Sequence, residues 1–439
     1  MPGFMLGRTH VPHRKNTAGQ KAVRMPAPEI VTILTSQHIG APATPTVKAG
    51  DRVFVGTKIG EATGYVSSPI HSSVSGKVKK LEPHLSSNGR SCTAIIIESD
   101  GQMTPDPSIA PPKAENIDEF VEAVKESGLV GLGGAGFPTA VKLDAEKKGL
   151  IKKIIINGAE CEPYITSDTV TLTDKADKVR EGVRLLERFI SADEIVIGIE
   201  SNKPQCVKNI SEVFADDGKV RIVTLPSTYP QGAEKILIHN TVGRVVPEGG
   251  LPSDVGCLVM NVTSVAFLAE YFETGMPLVE KCVTVDGSAI KNPMNVIAPI
   301  GASIQSVVEF TGGFSTEPGK VLYGGPMMGV AVYSVEYPIM KNNNAITAFD
   351  KKEATLPRSR SCIHCGRCVA ACPMGLNPTL YARAMKVEDK NERIARLNEA
   401  SLMLCMECGC CSFVCPSVRP LVENNRLAKA ELRAHPAKK

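Results

Sequence analysis

Eight cysteines in the last quarter of the chain fall into two groups with the same spacing. Both groups read C-x-x-C-x-x-C-x-x-x-C-P. Three thiolates on one tight loop can bind three corners of a cubane iron–sulfur cluster, while the fourth, at the start of the next helix, points toward another cluster. The spacing therefore predicts two 4Fe–4S clusters with exchanged fourth ligands. The predicted sets are Cys362, Cys365, Cys368 and Cys415 for cluster 1, and Cys405, Cys408, Cys411 and Cys372 for cluster 2.

Two other uses of these cysteines are conceivable. Zinc sites usually combine two separated C-x-x-C pairs, whereas a third cysteine follows each pair here. Disulfide frameworks are typical of short secreted chains, and this chain has 439 residues. The spacing is that of bacterial two-cluster ferredoxins, which favours clusters over both alternatives. Cys410 belongs to neither motif, and we expect it to pack beside a cluster.

Clusters carry electrons but perform no substrate chemistry, so the rest of the chain should hold an electron donor or acceptor. Residues 131–136 read G-L-G-G-A-G and match the dinucleotide motif G-x-G-x-x-G. That motif requires a strand immediately before the glycines, whereas a helical pattern over 117–127 precedes them here. A strand is predicted only later, at 153–156. We therefore expect a nucleotide or flavin cradle on a fold other than the Rossmann fold.

A polar loop, N-G-A-E-C-E-P-Y, follows the predicted strand at 153–156. Ligands of α/β sheets bind beyond the carboxyl ends of the strands, so its two carboxylates could contact ribose or an amide. Further strands are predicted at 195–200 and 220–225. Between 281 and 323 the pattern of two strands, a helix and a strand predicts a small β-grasp unit.

Composition limits the class of protein. Hydrophobic residues make up 43% and charged residues 22%, as in a soluble globular protein. The net charge is only +4, which gives no reason to expect nucleic acid as a partner. The sequence contains no apolar run long enough for a membrane span and no apolar signal core, so we expect a protein that is not exported.

These motifs, in this order, resemble the RnfC family, the NADH-oxidising peripheral subunits of Rnf ferredoxin:NAD oxidoreductases. The resemblance rests on G-G-A-G-F-P-T, N-G-A-E-C-E-P-Y, Y-P-Q-G-A-E-K, G-G-P-M-M-G and the doubled cysteine motif. The central unit also resembles the flavin subunit of respiratory complex I. Leu132, Ala159 and Met260 depart from the complex I pattern, so some of that family's flavin contacts are missing or replaced.

The resemblance implies a non-covalent FMN, with NAD(H) as the substrate, and it assigns site residues. No acid–base or covalent catalyst is implied beyond the cofactors. The residues implied for FMN are Gly131, Gly133, Gly134, Lys142, Asn157, Glu160, Tyr229, Gly232 and Asn261. The residues implied for NADH are Phe137, which would stack on the adenine, Glu162 and Glu234.

The expected fold class is a multidomain α+β and α/β protein. Its N-terminal β unit resembles lipoyl-type barrel-sandwich hybrids, but the tip at Gly64-Tyr65-Val66 lacks the lipoyl lysine. The expected units are a basic flexible arm (1–26), the barrel-sandwich hybrid (27–100), a linker (101–116), an FMN/NADH-binding α/β domain similar to the complex I flavin subunit (117–275), an SLBB β-grasp domain (276–333), a polar connection (334–357), and a helical two-cluster ferredoxin-like domain with a basic tail (358–439).

The family implies an electron-transfer subunit that exchanges electrons between NAD(H), FMN and two clusters in ion-translocating ferredoxin:NAD⁺ oxidoreduction. The implied partners are the membrane subunits of the complex and its iron–sulfur subunit, with ferredoxin reached indirectly. The implied location is the cytoplasmic face of the cell membrane, with docking through the basic arm, the tail Asn425–Lys439 or the β units. Two alternatives stay open: a soluble flavin and iron–sulfur NADH dehydrogenase that feeds a reductase, and a relay whose flavin site no longer works.

Overall fold

In the computed structural model, which describes residues 7–85, 89 and 91–435, short β strands dominate the first hundred residues. Two small sheets, with strand orders β2-β8-β7-β4 and β3-β5-β6, enclose a core that includes Val31, Ile59 and Ile95. The bounds are β1 (Val23–Arg24), β2 (Ile30–Leu34), β3 (Thr44–Pro45), β4 (Arg52–Val53), β5 (Lys58–Glu61), β6 (Ile70–His71), β7 (Gly76–Leu85) and β8 (Ser91–Ser99).

A parallel four-stranded sheet with order β11-β10-β9-β12 forms the centre of the second unit. Helices cover both of its faces, which explains the continuous apolar run of its first strand. In that strand Ile154 and Ile156 pack into one core and Ile155 into the other. The bounds are α1 (Ile117–Glu126), α2 (Thr139–Leu143), β9 (Lys153–Gly158), α3 (Ser167–Asp174), α4 (Ala176–Phe189), β10 (Glu194–Glu200), α5 (Pro204–Val213), β11 (Val220–Leu225), α6 (Glu234–Val242), β12 (Cys257–Asn261) and α7 (Val262–Thr274).

The third unit is a six-stranded mixed sheet with order β1-β14-β13-β17-β15-β16. The helix α8 packs on it, and Val283, Val296 and Val307 lie in the shared core. The bounds are β13 (Glu280–Asp286), β14 (Met294–Pro299), α8 (Ile304–Phe310), β15 (Pro318–Tyr323), β16 (Val330–Ala331), β17 (Ala345–Asp350) and α9 (Lys351–Ala354).

Strand β17 corrects one expectation. The sequence predicts a polar connection over 334–357, but residues 345–350 form a central strand, parallel to β13 and antiparallel to β15. Ala345, Ile346 and Ala348 are fully buried there. The strand is short and its flanks are polar, so its place in the sheet depends on partners that lie far away in sequence.

The last unit is built from short helices around the two cysteine motifs. Gly366 and Gly409 have positive φ values of 73° and 80° and start α10 and α13, a backbone conformation that favours glycine. The same turn therefore occurs in both motifs. The bounds are α10 (Arg367–Ala370), α11 (Pro378–Ala384), α12 (Lys390–Glu399), α13 (Cys410–Phe413) and α14 (Leu421–Ala434).

Residues 7–25, which we call the N-terminal segment, differ from the expected flexible arm. Thr9 pairs with Tyr229 through two backbone hydrogen bonds of 2.9 Å. Lys15 Nζ donates to the carbonyl oxygens of Glu160 (2.7 Å), Glu162 (2.9 Å) and Ile165 (2.5 Å). The segment ends in β1, which pairs with β14. Basic composition suggested flexibility, but this lysine is buried against distant carbonyl groups; residues 1–6 lie outside the described residues.

The expected basic tail is also largely folded. Residues 421–434 form α14, in which Lys429 is buried and pairs with Glu407 at 2.7 Å. Arg426 donates to the carbonyl oxygen of Met328 at 2.9 Å. Of the cations proposed for docking, Arg433 is exposed, and Lys438 and Lys439 lie outside the described residues. Among the described residues, no helix has the length and apolarity needed to cross a membrane.

Candidate functional site

The eight motif cysteines line two separate cavities. Cys362, Cys365, Cys368 and Cys415 line one with about 380 Å³ of empty space, partly open to solvent. The other, of about 350 Å³, is lined by Cys405, Cys408, Cys411 and Cys372. The structure therefore brings together both predicted sets, including the exchanged fourth cysteines. Within the described part of the chain, no three His, Cys, Asp or Glu side chains are placed to hold a single metal ion.

The surroundings of the Cys405 cavity fit a buried cluster. Burial raises the pKa of the Cys411 thiol to about 12, so the thiol stays protonated until a metal displaces its proton. Asn425 Nδ2 lies 3.4 Å from Cys405 Sγ, and the backbone N–H of Leu376 donates to Cys372 Sγ at 3.3 Å. Hydrogen bonds to cluster sulfurs tune the reduction potential. No local sequence signal marks Asn425, because it comes from α14.

Cys410, the surplus cysteine, is fully buried beside this cavity. Its Sγ lies 3.9 Å from the carbonyl oxygen of Tyr229. A hydrogen bond with the Cys408 thiol raises the pKa of Cys410 and lowers that of Cys408. Cys410 therefore packs between the cluster unit and the central α/β unit, as expected for a residue beside a cluster.

The glycine loop joins α1 to α2, so a helix precedes it, as the sequence predicted. The backbone N–H of Gly131 donates to the carbonyl oxygen of Phe137 at 2.8 Å and closes the loop. A Cβ on Gly133 would lie 2.4 Å from Asn261 Nδ2, whereas one on Gly134 would meet nothing within 4 Å. Gly133, Gly134 and Ala135 are exposed, so bare backbone is open to a flat ring or a phosphate. The loop fits a flavin cradle.

Two asparagines stand at the carboxyl ends of neighbouring strands. Asn157 of β9 and Asn261 of β12 are paired in register. Asn157 Nδ2 donates to the carbonyl oxygen of Gly232 at 2.8 Å, which fixes the loop before α6 against the sheet. Asn261 Nδ2 donates to Asp168 Oδ2 at 2.8 Å, while its Oδ1 accepts from Thr263 N at 2.9 Å and caps α7. Asp168 was not found from the sequence.

Lys142 and Glu234 form an ion pair at 2.8 Å, although the family resemblance assigns them to different ligands. Lys142 Nζ also donates to the carbonyl oxygen of Val259 at 3.1 Å. Both side chains are partly exposed, at 26% and 40%. An anionic ligand group could therefore compete with Glu234 for the lysine without a buried charge being left unpaired.

Glu160 is buried, and its oxygens are occupied by protein donors. It accepts from the backbone N–H groups of Asp168 (2.8 Å) and Thr169 (3.3 Å) at the start of α3, and from the Thr169 hydroxyl at 2.8 Å. Burial raises the pKa of this carboxyl, against the opposing effect of Lys15. Its contacts are thus those of a residue that shapes the loop.

Glu162 contacts the third unit. Its Oε1 accepts from the backbone N–H groups of Met327 (2.6 Å) and Met328 (3.0 Å), and burial raises its pKa. A Cβ on Gly325 would lie 2.2 Å from Glu162 Cγ, so the G-G-P-M-M-G loop needs its glycine here. The structure brings Lys142 and Glu234 together but holds Glu162 against this loop.

Tyr229 links the central unit to the cluster unit. Its ring is buried, and its hydroxyl donates to the carbonyl oxygen of Cys408 at 2.7 Å. Val11, Ala371 and Cys410 pack in the same cluster of apolar side chains. The loop that carries Tyr229 and Gly232 thus runs from the strand ends of the α/β sheet to the Cys405 cavity.

The residues that depart from the complex I pattern are buried. Leu132 and Met260 lie in the main core of the α/β unit, and Ala159 packs in the core on the opposite face. The carbonyl oxygen of Leu132 accepts from Lys281 Nζ at 3.2 Å. These side chains therefore pack inside the protein.

Four family models match the chain, each over one part of it. They are the RnfC barrel sandwich hybrid domain over residues 4–102, the Nuo51 FMN-binding domain over 124–270, the SLBB domain over 282–331 and the 4Fe-4S dicluster domain over 344–418. Fold and matches define a class of protein in which an FMN-binding domain and a two-cluster domain share one chain. The predicted fold class, the order of the units and the FMN and 4Fe–4S cofactors are confirmed.

Curated relatives are similar over most of the chain. The RnfC subunit of the Na(+)-translocating ferredoxin:NAD(+) oxidoreductase complex of Acetobacterium woodii is 43% identical over 86% of each chain. The corresponding subunit of the proton-translocating complex of Clostridium ljungdahlii is 40% identical over 84% of this chain and 81% of its own. The chain belongs to the RnfC family.

A solved structure shares the fold. A chain of NAD+-reducing [NiFe]-hydrogenase superposes with a TM-score of 0.50 at 20% identity. The similarity covers 73% of this chain and 61% of the hydrogenase chain.

Proposed function

We propose that this chain exchanges electrons between NAD(H), FMN and two 4Fe–4S clusters as the RnfC subunit of an ion-translocating ferredoxin:NAD⁺ oxidoreductase. The observation that carries the proposal is the contact of Tyr229 with Cys408, because it joins the FMN-binding domain to a cluster cavity within one chain. When bound, FMN exchanges electron pairs with a nicotinamide and single electrons with the clusters.

In this proposal the chain's own residues bind and orient the cofactors. Gly131, Gly133 and Gly134 offer backbone to the flavin. Asn157, Gly232 and Asn261 line the strand ends beside it, and Glu160 and Tyr229 fix the loops that approach it. Lys142 takes the FMN phosphate and leaves Glu234 free to face NADH.

The NADH side is proposed to consist of Phe137, Glu234 and Glu162. Phe137 is partly exposed next to the glycine loop and offers a ring for stacking. Glu162 has one oxygen occupied by the Met327 and Met328 amides, so it reaches a dinucleotide only with its other oxygen.

The proposed partners are the membrane subunits of the complex and its iron–sulfur subunit, with the chain on the cytoplasmic face of the membrane. The names of the relatives support a multi-subunit complex.

The test is anaerobic purification, followed by iron and flavin analysis and an NADH titration. We expect about eight irons, as two cubanes require. We also expect one releasable FMN per chain, and bleaching of both flavin and clusters by NADH. Protein that holds its clusters but binds no flavin would favour the relay without a working flavin. Protein that is reduced by NADH but isolated from its host without membrane subunits would favour the soluble dehydrogenase.

A further inference from the structure

The two cluster cavities have different surroundings. The Cys405 cavity is covered by neighbours from other units: the Tyr229 hydroxyl contacts Cys408, and a Cβ on Gly409 would lie 2.6 Å from the Met327 carbonyl oxygen. The Cys362 cavity is lined only by residues of the cluster unit, from 362 to 421. Cys365 at its rim is exposed. The site of cluster 1 therefore lies at the protein surface.

We call the exposed residues of Leu356–Val369 the cluster face. Large apolar side chains stand in the open there: Leu356 is 68% exposed and Ile363 66%. Val369, in α10, is also exposed. Three apolar side chains on a loop around a redox site are typical of a surface that another protein covers.

The same part of the sequence carries only positive charge. Residues 354–387 contain no Asp or Glu but five cations, whereas the whole chain has 50 basic and 46 acidic residues. Among the described residues, none of the five forms an ion pair, in contrast to Lys429 and Arg426 beside the other cavity, which both pair with Glu407. The five cations are Arg358, Arg360, Arg367, Arg383 and Lys386.

We propose that the cluster face docks an acidic one-electron carrier protein and that electrons enter or leave the chain there through cluster 1. This inference rests on the proposed function and adds the partner's charge and its docking surface. Unpaired arginines steer an anionic partner to the exposed cluster, and the apolar side chains form the dry centre of a small, transient interface.

The transfer step needs no further reactant. The reduced carrier gives one electron to oxidised cluster 1, so the carrier is oxidised and the cluster reduced by one electron each. No bond between heavy atoms forms or breaks, and no proton has to move. The reverse transfer uses the same contact.

An anionic membrane could also attract arginines. The protein partner is favoured because the charges surround a redox site, and a lipid surface accepts no electrons. The apolar side chains also lie within the same loop as the cluster cysteines.

The test uses the holoprotein and an acidic 2×4Fe–4S ferredoxin, reduced beforehand, mixed in a stopped-flow instrument with NAD⁺ present. The charge-reversal pair is Arg358→Glu with Arg360→Glu, since both side chains are exposed and neither lines the cluster cavity. The matched control is Lys77→Glu with Lys79→Glu, two exposed cations on β7. A neutral pair, Arg358→Gln with Arg360→Gln, guards against a folding defect.

We expect the second-order rate at low ionic strength to fall about tenfold in the charge-reversal pair and by less in the neutral pair. The wild-type rate should fall with added salt, and the control should match the wild type. Reduction by NADH should be equal in all proteins; its failure in the wild type would count against the proposed function and not against this face.

Equal ferredoxin rates in the wild type and the charge-reversal pair would overturn the proposal. So would an equal loss in the Lys77 and Lys79 control, because the effect would then follow from net charge alone. Sedimentation with phosphatidylglycerol vesicles adds a further arm. If the charge-reversal pair loses vesicle binding but keeps its ferredoxin rate, the face binds membrane and the proposal is wrong.

Discussion

Cys372 is separated by more than thirty residues from the three other cysteines that line its cavity. We expect Cys372→Ser to damage cluster 2, held by Cys405, Cys408 and Cys411, more than the cluster bound by its sequence neighbours, because it removes one of four iron ligands. Cluster-resolved EPR of the anaerobically purified variant measures this. Cys410→Ser is the control and should keep both signals; loss confined to the Cys362 cluster would contradict the crossed ligand sets.

Lys15 is buried, with its ammonium group on three carbonyl oxygens of the loop 160–165. We expect Lys15→Met to lower the free energy of unfolding by about 1–3 kcal/mol, because buried carbonyl groups lose their donor. It should also weaken FMN retention, since the same loop follows β9. Thermal unfolding and flavin released on dilution measure the two effects. Lys21→Met, an exposed lysine of the same segment, should change neither; equal effects of both would show that the contacts of Lys15 are unimportant.

Lys341 makes stability depend on pH. Its Nζ donates to the carbonyl oxygens of Pro69 and Gly128, both at 2.6 Å, and burial lowers its pKa to about 7 from 10.5. Between these values the unfolded chain binds the proton and the folded chain does not. The free energy of unfolding should therefore rise with pH across this window, on the order of 1 kcal/mol per pH unit.

Lys341→Met should flatten this rise, which is measured by the unfolding temperature between about pH 7 and pH 9. The exposed Lys291, in the same unit, is the control, and Lys291→Met should keep the wild-type slope. A slope unchanged in Lys341→Met would mean that other groups cause the pH dependence.

At this scale, spacing predicted what local chemistry requires. Both sets of cysteines followed from the geometry of a cubane. The partners of Lys15 and the roles of Asp168 and Asn425 could not be predicted, because each contact joins residues that are distant in sequence and no local pattern marks it.

At the scale of elements, α4 and α7 approach closely at Gly182. A Cβ there would lie 2.1 Å from the carbonyl oxygen of Val265, so Gly182→Ala has to push the helices apart. We expect a loss of about 1–3 kcal/mol in the free energy of unfolding, as for other overpacked cores. A Cβ at Gly218 would meet nothing within 4 Å, so Gly218→Ala is the matched control. Equal unfolding temperatures of the two variants would show that the helices yield without cost.

Elements with a strong internal pattern were predicted closely. The strand at 220–225 has the predicted bounds, and the helix before the glycine loop excluded a Rossmann fold. Strand β17 was missed because its six residues are identified by the partners β13 and β15 rather than by their own pattern.

At the scale of the whole molecule, the proposed location can be tested by fractionating cells of the native host at low salt, at high salt and in urea. We expect the chain to sediment with membranes at low salt. Contacts through charged residues should weaken with salt, whereas apolar contacts with partner subunits should yield only to urea. The chain expressed alone should stay in the supernatant. If the native chain is also found wholly in the supernatant at low salt, without membrane subunits, the soluble dehydrogenase is favoured.

The N-terminal segment has a consequence for the order in which the protein is made. Residues 7–25 leave the ribosome first, yet they bind partners made much later: Thr9 pairs with Tyr229, Val23 with Val296, and Gly7 lies against the carbonyl oxygen of Cys372. During synthesis the segment therefore has no binding site until most of the chain has emerged. Its docking is a late step of maturation, after the sheets have formed and close to the time when the cysteines receive their iron.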